Sequence, residues 1–485
     1  MSEATLINRN SIFSLLSAMT RMFSNMLLFI GIARFYGPEG FGQFTIAHTY
    51  LTLFYIVADF GFDLLLTTEV ARSRDRSVEF IQRFLPVKMI FALGSIVVMS
   101  IIAIASHFSE ATKTLMFFLS ISIIGNALTS FFFALFKGHE KLYEETRTTF
   151  FQNLFLLCSI AILGLLHVQL IYIAAAFVLS RLLGVFLIFP KMRNIVVLDS
   201  IKMTFSGWQS TFKKGLPFGI HLLFGTLFFQ LDTILLAYWR TDQAVGQYQA
   251  VMKLIVLILV VPDVIINALL PVLVRLHSEN KIRWLQMNKL LEKTFFFIGL
   301  PFAIILFVYA DQIITIVYGS NGFNESIPVM RIFALILLVR YSVETFALML
   351  TTSHRQIERM TIVIGVTVLN FILNAYAIPK FGILGAAIVS LITNVAAGTF
   401  YLFAAKKGNF LIGQLIDFRM VVLFIITLLI TLGVWYNARG IFSIGLIFIF
   451  LIYILFYYFI GYAEEEKSSI YDFRGLWKQI LAKSQ

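Results

Sequence analysis

Apolar runs of about 20 residues, each long enough for one helix to cross a bilayer, succeed one another along the chain with short polar turns between them. They fall at 12–33, 43–66, 84–106, 114–136, 148–167 and 169–190, then at 216–238, 246–274, 294–310, 328–350, 360–378 and 384–403, and finally at 418–436 and 440–460. This pattern predicts an all-α polytopic membrane protein of about fourteen transmembrane helices. Of 485 residues, 59% are hydrophobic and only 13% charged, about half the charged share of ordinary soluble chains.

The first run, IFSLLSAMTRMFSNMLLFIGIA, carries an arginine near its middle. Ser14, Ser17, Arg21 and Ser24 follow at steps of three and four, so they share one helical face with Asn25 at its edge. A guanidinium facing lipid is costly, so this face is expected to turn toward other helices or a watery interior. The structural alternative for Arg21 is an ion pair with an acid such as Asp232.

Lysine and arginine divide unequally between alternate loops, about 28 on one side against about six on the other. The richer side includes Arg72, Arg74, Arg76, Arg83 and Lys88 in one loop and Arg355 and Arg359 in another. Cytoplasmic loops hold the excess, which places both termini in the cytoplasm. The net charge of +12 therefore reads as topology, and no nucleic-acid partner is expected. Arg21, Arg181, Lys253 and Arg340 remain inside the spans.

A shift of 204 residues lays Phe41-Gly42-Gln43-Phe44 on Val245-Gly246-Gln247-Tyr248, and Asp59 on Asp263. Transporters are often built from such repeats, and a parallel pair is related by an axis along the membrane normal. The expected division is an N-lobe at 1–203, a C-lobe at 204–410, and two further helices with a cytoplasmic tail at 411–485. Residues 191–215 and the segment after Tyr462 read as interfacial stretches or linkers.

The motifs of catalysis are missing. GPEGFG at 37–42 has the wrong glycine spacing for a phosphate loop and follows no strand, so it reads as an extracytoplasmic turn. HExxH, CxxC, GxSxG and Walker sequences do not occur, and neither a metal nor a cofactor is expected. The single cysteine, Cys158, excludes an intrachain disulfide and is expected to be a buried thiol. His221 is placed in a span, either in a polar lumen or in the packed interior. Asn324-Glu325-Ser326 has the form of a glycosylation acceptor, a triplet frequent by chance.

Intramembrane charges carry more information, because they usually face a pathway or a partner. Arg181 and Lys253 are candidates to join Arg21, Ser17, Ser24 and Asn25 in binding an anionic substrate, unless they snorkel to an interface. Asp59, Asp63 and Asp263 sit toward cytoplasmic span ends, where hinge or gate contacts are expected. Asp232 lies deeper and suits ion coupling. Arg340 and Glu344 stand four residues apart, the spacing of a structural ion pair. Asn370 and Asn374 share a face suited to helix packing or to cavity lining.

Three segments then carry a family resemblance. ARFYGPEGFGQFTIAHTYLTLFYIVADFGFDLLLTTEVAR (33–72), QLDTILLAYWRTDQAVGQY (230–248) and FGILGAAIVSLITN (381–394) resemble the polysaccharide-transporter, or Wzx-type, oligosaccharide flippases of the multidrug/oligosaccharidyl-lipid/polysaccharide exporter superfamily. The resemblance implies two six-helix lobes in a V around a central cavity, as in the multidrug and toxin extruders, plus two C-terminal helices. It also implies passage of an undecaprenyl-pyrophosphate-linked oligosaccharide, such as an O-antigen or capsule precursor, across the bacterial inner membrane by alternating access. The partners it implies are that substrate, membrane lipids, a polysaccharide polymerase and glycosyltransferases. An ion-coupled multidrug antiporter is the alternative within transport. A membrane-bound glycosyl- or acyltransferase, or an assembly scaffold without transport, is the alternative outside it.

Overall fold

The computed structural model describes residues 3–195, 208–319 and 322–407. The predicted helices at 418–436 and 440–460 and the C-terminal tail lie outside the described residues, as do residues 196–207 of the predicted interfacial stretch 191–215. The described residues are helical throughout, and ten helices are long and apolar enough to cross a membrane. They divide into two compact units, one running to Gly246 and the other beginning at Gln247.

In the first unit, α1 (Glu3–Asp59) is one element where two spans were predicted. It is far longer than a bilayer is thick, about 1.5 Å of rise per residue being the helical rule. Gly37, at φ 65°, breaks it, and Pro38 follows. Glycine adopts that angle without penalty, and proline opens a new helix well because its missing N–H would have been unpaired there. The two halves fold back on each other: Phe29 meets Phe41, Phe44 and His48, with ring centroids 6.1, 6.2 and 5.2 Å apart. GPEGFG is thus the tip of a helical hairpin. The second span was predicted to end at 66, but a break after Asp59 starts a separate helix, α2 (Phe62–Arg72).

α3 (Ser77–Ala105), α4 (Glu110–Gly138), α5 (Leu142–Leu165), α6 (Leu170–Ile188) and α7 (Trp208–Trp239) complete this unit. Ser109 caps α4 by accepting from the Thr112 amide at 3.2 Å. The first half of α1 lies along α5: Gly31 approaches Ile160, and Phe35 packs on Gly164. Its second half lies along α7, from Thr49 at Gln230 (3.3 Å) to Phe60 stacked on Phe212 (5.3 Å). Phe62, Leu66, Phe80, Phe84, Phe131 and Phe136 form the core where α2, α3 and α4 meet.

α8 (Asp242–Glu279) leads into the second unit, which holds α9 (Lys281–Val308), α10 (Ala310–Tyr318), α11 (Ser326–Thr352) and α12 (Gln356–Lys407). α9 begins well before the predicted 294, capped by Asn280, whose side chain accepts from the Arg283 amide at 3.0 Å. The short α10 was not predicted. α12 joins two predicted spans through Gly382 at φ 59°. It too doubles back, because Arg355 at its start donates to the carbonyl of Ala404 near its end at 2.8 Å. Trp284 ties α9 to α11 by donating to Thr352 Oγ1 at 3.1 Å.

Candidate functional site

The serine and arginine face of α1 meets a polar stripe on α5 that the sequence reading missed. Glu145, Thr149, Gln152 and Asn153 are all buried. Their steps of four, three and one put them on one side of α5. Arg21 Nη1 donates to Ser17 Oγ and to Glu145 Oε1, each at 2.9 Å. The second oxygen of Glu145 lies 3.3 Å from Lys137 Nζ at the end of α4. One buried carboxylate therefore serves two cations, and both cations are about 40% exposed (44% and 42%). The group carries a net positive charge at an accessible surface, and a guanidinium fork can take further acceptors.

On α6, the Arg181 guanidinium carbon stands 4.5 Å from the centroid of the Phe177 ring. Its buried Nε has no hydrogen-bond partner among the described residues, and the same holds for Thr149 Oγ1 and Asn153 Nδ2 on α5. Buried polar atoms are normally paired. The absence of a glycine side chain lets α4 approach, since a Cβ at Gly125 would lie 3.2 Å from the Arg181 backbone. The interior of this unit thus offers cationic groups and unspent donors.

A second charged group forms where α1 breaks. Lys88 of α3 is fully buried and donates to Asp59 at 2.8 Å, to Asp63 at 2.5 Å and to Ser130 at 3.0 Å. The break after Asp59 lets the two acids approach one ammonium from two helices. The arrangement is an electrostatic latch holding α1, α2, α3 and α4 together.

At the hairpin tip of α1 lies a close backbone contact. A Cβ on Gly42 would fall on the carbonyl of Asp242, and one on Gly246 would fall on the carbonyl of Pro38. Each would also lie 3.0 Å from the amide nitrogen of the other glycine. The four residues obey the 204-residue repeat, Pro38 matching Asp242 and Gly42 matching Gly246, so the contact is reciprocal. Asp242 is further held by the hydroxyls of Ser109 at 2.5 Å and Thr112 at 3.0 Å.

The sequence signature of the family described as polysaccharide biosynthesis protein matches residues 7–277. The chain belongs to that family. No curated protein matches the sequence at a significant level. Among solved structures, the fold is similar to that of the lipid II flippase MurJ in an inward closed conformation. That match has 15% identity and a TM-score of 0.72, and covers 92% of this chain and 98% of that one. The fold is also similar to an inward-facing multidrug resistance MATE family transporter of the MOP superfamily, at 15% identity over 82% of this chain and 98% of that one, TM-score 0.65. A third similar structure is a MOP superfamily transporter from Pyrococcus furiosus described by the reverse polarity of its binding pocket. It shows 14% identity over 83% and 95%, TM-score 0.57. The shared architecture is that of flippases and multidrug transporters, and this polysaccharide biosynthesis protein is a multi-pass membrane protein.

The geometry places the residues singled out in the sequence and corrects some of the expectations. The acid beside Arg21 is Glu145, where Asp232 was the alternative considered; Asp232 is buried on α7. Within the stripe, Ser17 and Ser24 are buried, whereas Ser14 and Asn25 are exposed. Lys88, counted as a loop cation, is a buried latch residue. Glu344 lies 3.9 Å from Arg359, another residue assigned to a loop, and Arg359 also donates to Thr351 at 2.7 Å. Arg340 is half-buried on α11, Lys253 half-buried on α8, and Asp263 exposed on α8. Asn374 donates to Asn370 at 3.0 Å within α12, and both are buried, which favours packing. Cys158 is exposed on α5, because the buried side of that helix is given to the polar stripe. The His221 side chain lies outside the described residues. No group of three His, Cys, Asp or Glu suited to a metal ion occurs among the described residues.

Proposed function

We propose that this protein is a flippase that moves an undecaprenyl-pyrophosphate-linked oligosaccharide from the cytoplasmic to the outer leaflet of the bacterial inner membrane. The observation that carries the reading is the half-exposed Arg21, oriented by Ser17 and Glu145. A pyrophosphate needs charge-assisted donors, and a fork held by a buried acid presents them with little loss of freedom. Arg181, Asn153 and Thr149 supply further donors on the neighbouring helices, with Ser24, Asn25 and Lys253 as additional substrate contacts. No covalent bond changes. Access alternates as two six-helix lobes, 1–203 and 204–410, rock about their interface, and 411–485 adds two spans and a tail. The basic asymmetry puts both termini in the cytoplasm. Asp232, Asp263, Arg340 and Glu344 are the coupling or gating groups of this scheme, beside Asp59 and Asp63. The polymerase and glycosyltransferases that use the same carrier lipid are its functional neighbours.

The similarity to MATE transporters supports ion-coupled drug export as a second reading. An organic cation would favour an acidic site, however, and the group around Glu145 carries an excess of positive charge.

Purified protein in liposomes, given a fluorescent lipid-linked oligosaccharide in the inner leaflet, should expose the intact glycan to an outside lectin or glycosidase. Chemical modification of the glycan would favour the transferase. Cation efflux without glycan exposure would favour the antiporter.

A further inference from the structure

A cavity of about 560 Å³ opens in the first unit beside the α1 hairpin tip, between the start of α4 and the turn joining α5 to α6. Its volume falls in the range of small-molecule sites, about 300–1,000 Å³. Its lining includes the aromatic residues Phe35 and Tyr36 and the polar residues Gln43, Thr114, His167 and Gln169. The Tyr36 hydroxyl donates to the carbonyl of Val168 at 2.8 Å, tying one wall to the other. His167 holds a positive φ of 50°, the left-handed turn that ends α5, with the Val168 amide donating back to the Leu163 carbonyl at 3.3 Å. The lining contains no lysine, arginine, aspartate or glutamate.

Each feature narrows the ligand. A phosphate or a uronic acid would bring charge into a site with no charged side chain to meet it. An acyl chain would return no hydrogen bond to Gln43, His167 or Gln169. A neutral sugar has apolar C–H faces for the two rings and hydroxyls that both donate to and accept from carboxamides. We propose that this cavity binds a neutral saccharide unit, and that it receives the glycan on the side to which the hairpin tip points. The proposal rests on the export reading above, in which that side is extracytoplasmic. The hairpin residues of the lining flank Gly37–Gly42, so occupancy and the reciprocal glycine contact share one loop.

The test uses the full chain in nanodiscs and saturation-transfer NMR with cellobiose and lactose as neutral probes. Galacturonic acid serves as the charged probe and dihexanoyl phosphatidylcholine as the lipid probe. Saturation should reach the disaccharides, and Gln169→Leu, an exposed rim change, should weaken their binding about fivefold, the effect of one hydrogen bond. Phe35→Leu should reduce transfer to the sugar C–H protons. Absence of disaccharide transfer overturns the proposal, as does transfer indifferent to both variants, or transfer confined to the lipid or to galacturonic acid. Failure here is separable from failure of the export reading. Glycan exposure in liposomes without disaccharide binding defeats only this site, whereas disaccharide binding without glycan exposure defeats only the flippase.

Discussion

Lys88 shows how far a residue's role can depart from its place in the sequence. Its neighbours LPVKMIFAL made it the edge of an apolar run, and the positive-inside count absorbed it into a loop. The fold instead buries it against Asp59 and Asp63. The two acids stand at i and i+4, a visible pair, but the ammonium they share comes from another helix, and one sequence carries no sign of that pairing. Removing one partner from a buried ion pair leaves an uncompensated charge, at about 3–5 kcal/mol. Lys88→Met should therefore lower membrane abundance and the thermal midpoint in detergent, while Asp59→Asn, which leaves the Lys88–Asp63 pair, should do so less. Adding Asp59→Asn and Asp63→Asn to Lys88→Met should recover much of the loss. An unstable triple variant would show that shape, not charge, holds the latch. Arg21 is a different case, because half of its surface is open. If it meets an anionic substrate, Arg21→Lys should retain part of the export, Arg21→Ala should lose most of it, and Arg21→Glu should fail, all at near-normal abundance. The exchanged pair Arg21→Glu with Glu145→Arg should restore abundance wherever the single changes lower it. Export at the normal rate by Arg21→Glu would end its role in an anion pathway. That Arg21 shares a face with Ser17 was legible from the sequence, but its partner was not, since Glu145 lies ahead of the apolar run predicted at 148–167, in a segment dense in threonines.

At the scale of elements, periodicity and length located the twelve apolar segments between 12 and 403 but misjudged how they join. The turn expected at GPEGFG is the tip of the α1 hairpin, but Gly37 and Gly382 make it, and its counterpart in α12, as breaks within continuous long helices. The 204-residue repeat was visible as a matched four-residue stretch and a matched aspartate, yet it gave no hint that the repeated glycines touch. That contact depends on the absence of side chains, which a sequence cannot distinguish from simple turn preference. It makes a symmetric prediction. Gly42→Ala and Gly246→Ala each place a methyl group on a backbone carbonyl across the contact, so each should push the α1 tip away from the start of α8. Spin labels at Glu39 and Gln243 should report a longer and broader distance in either variant, and glycan export should fall with folded protein retained. Unchanged distances would mean that the backbone absorbs a methyl here. Ser109→Ala with Thr112→Val removes the hydroxyls that hold Asp242. These changes should shift the same distance in the same direction, by less.

At the scale of the molecule, orientation is the property on which direction of transport depends, and its basis is the excess of basic residues on one side. Two corrections bear on that count. Lys88 leaves it, being buried, and Glu344 engages Arg359, so neither cation is a plain solvated loop charge. Setting both aside, the asymmetry of about 28 to six becomes about 26 to six and keeps its sign. The sign of the topology therefore rests on many residues, and no single ion pair can reverse it. The same structure decides where a probe must go. Ser77 is buried and bonded to His139 at 2.8 Å, which makes it a poor labelling position, whereas Asp75 two residues earlier and Glu39 at the hairpin tip are exposed. Because Cys158 is exposed, the background must first be made cysteine-free with Cys158→Ala. In that background an impermeant maleimide applied to intact spheroplasts should modify Glu39→Cys, and Asp75→Cys should react only after the membrane is opened. If Asp75→Cys reacted first, the protein would be inverted: the cavity beside the hairpin would face the cytoplasm, and the α2 to α3 end, with its latch, would become the exit.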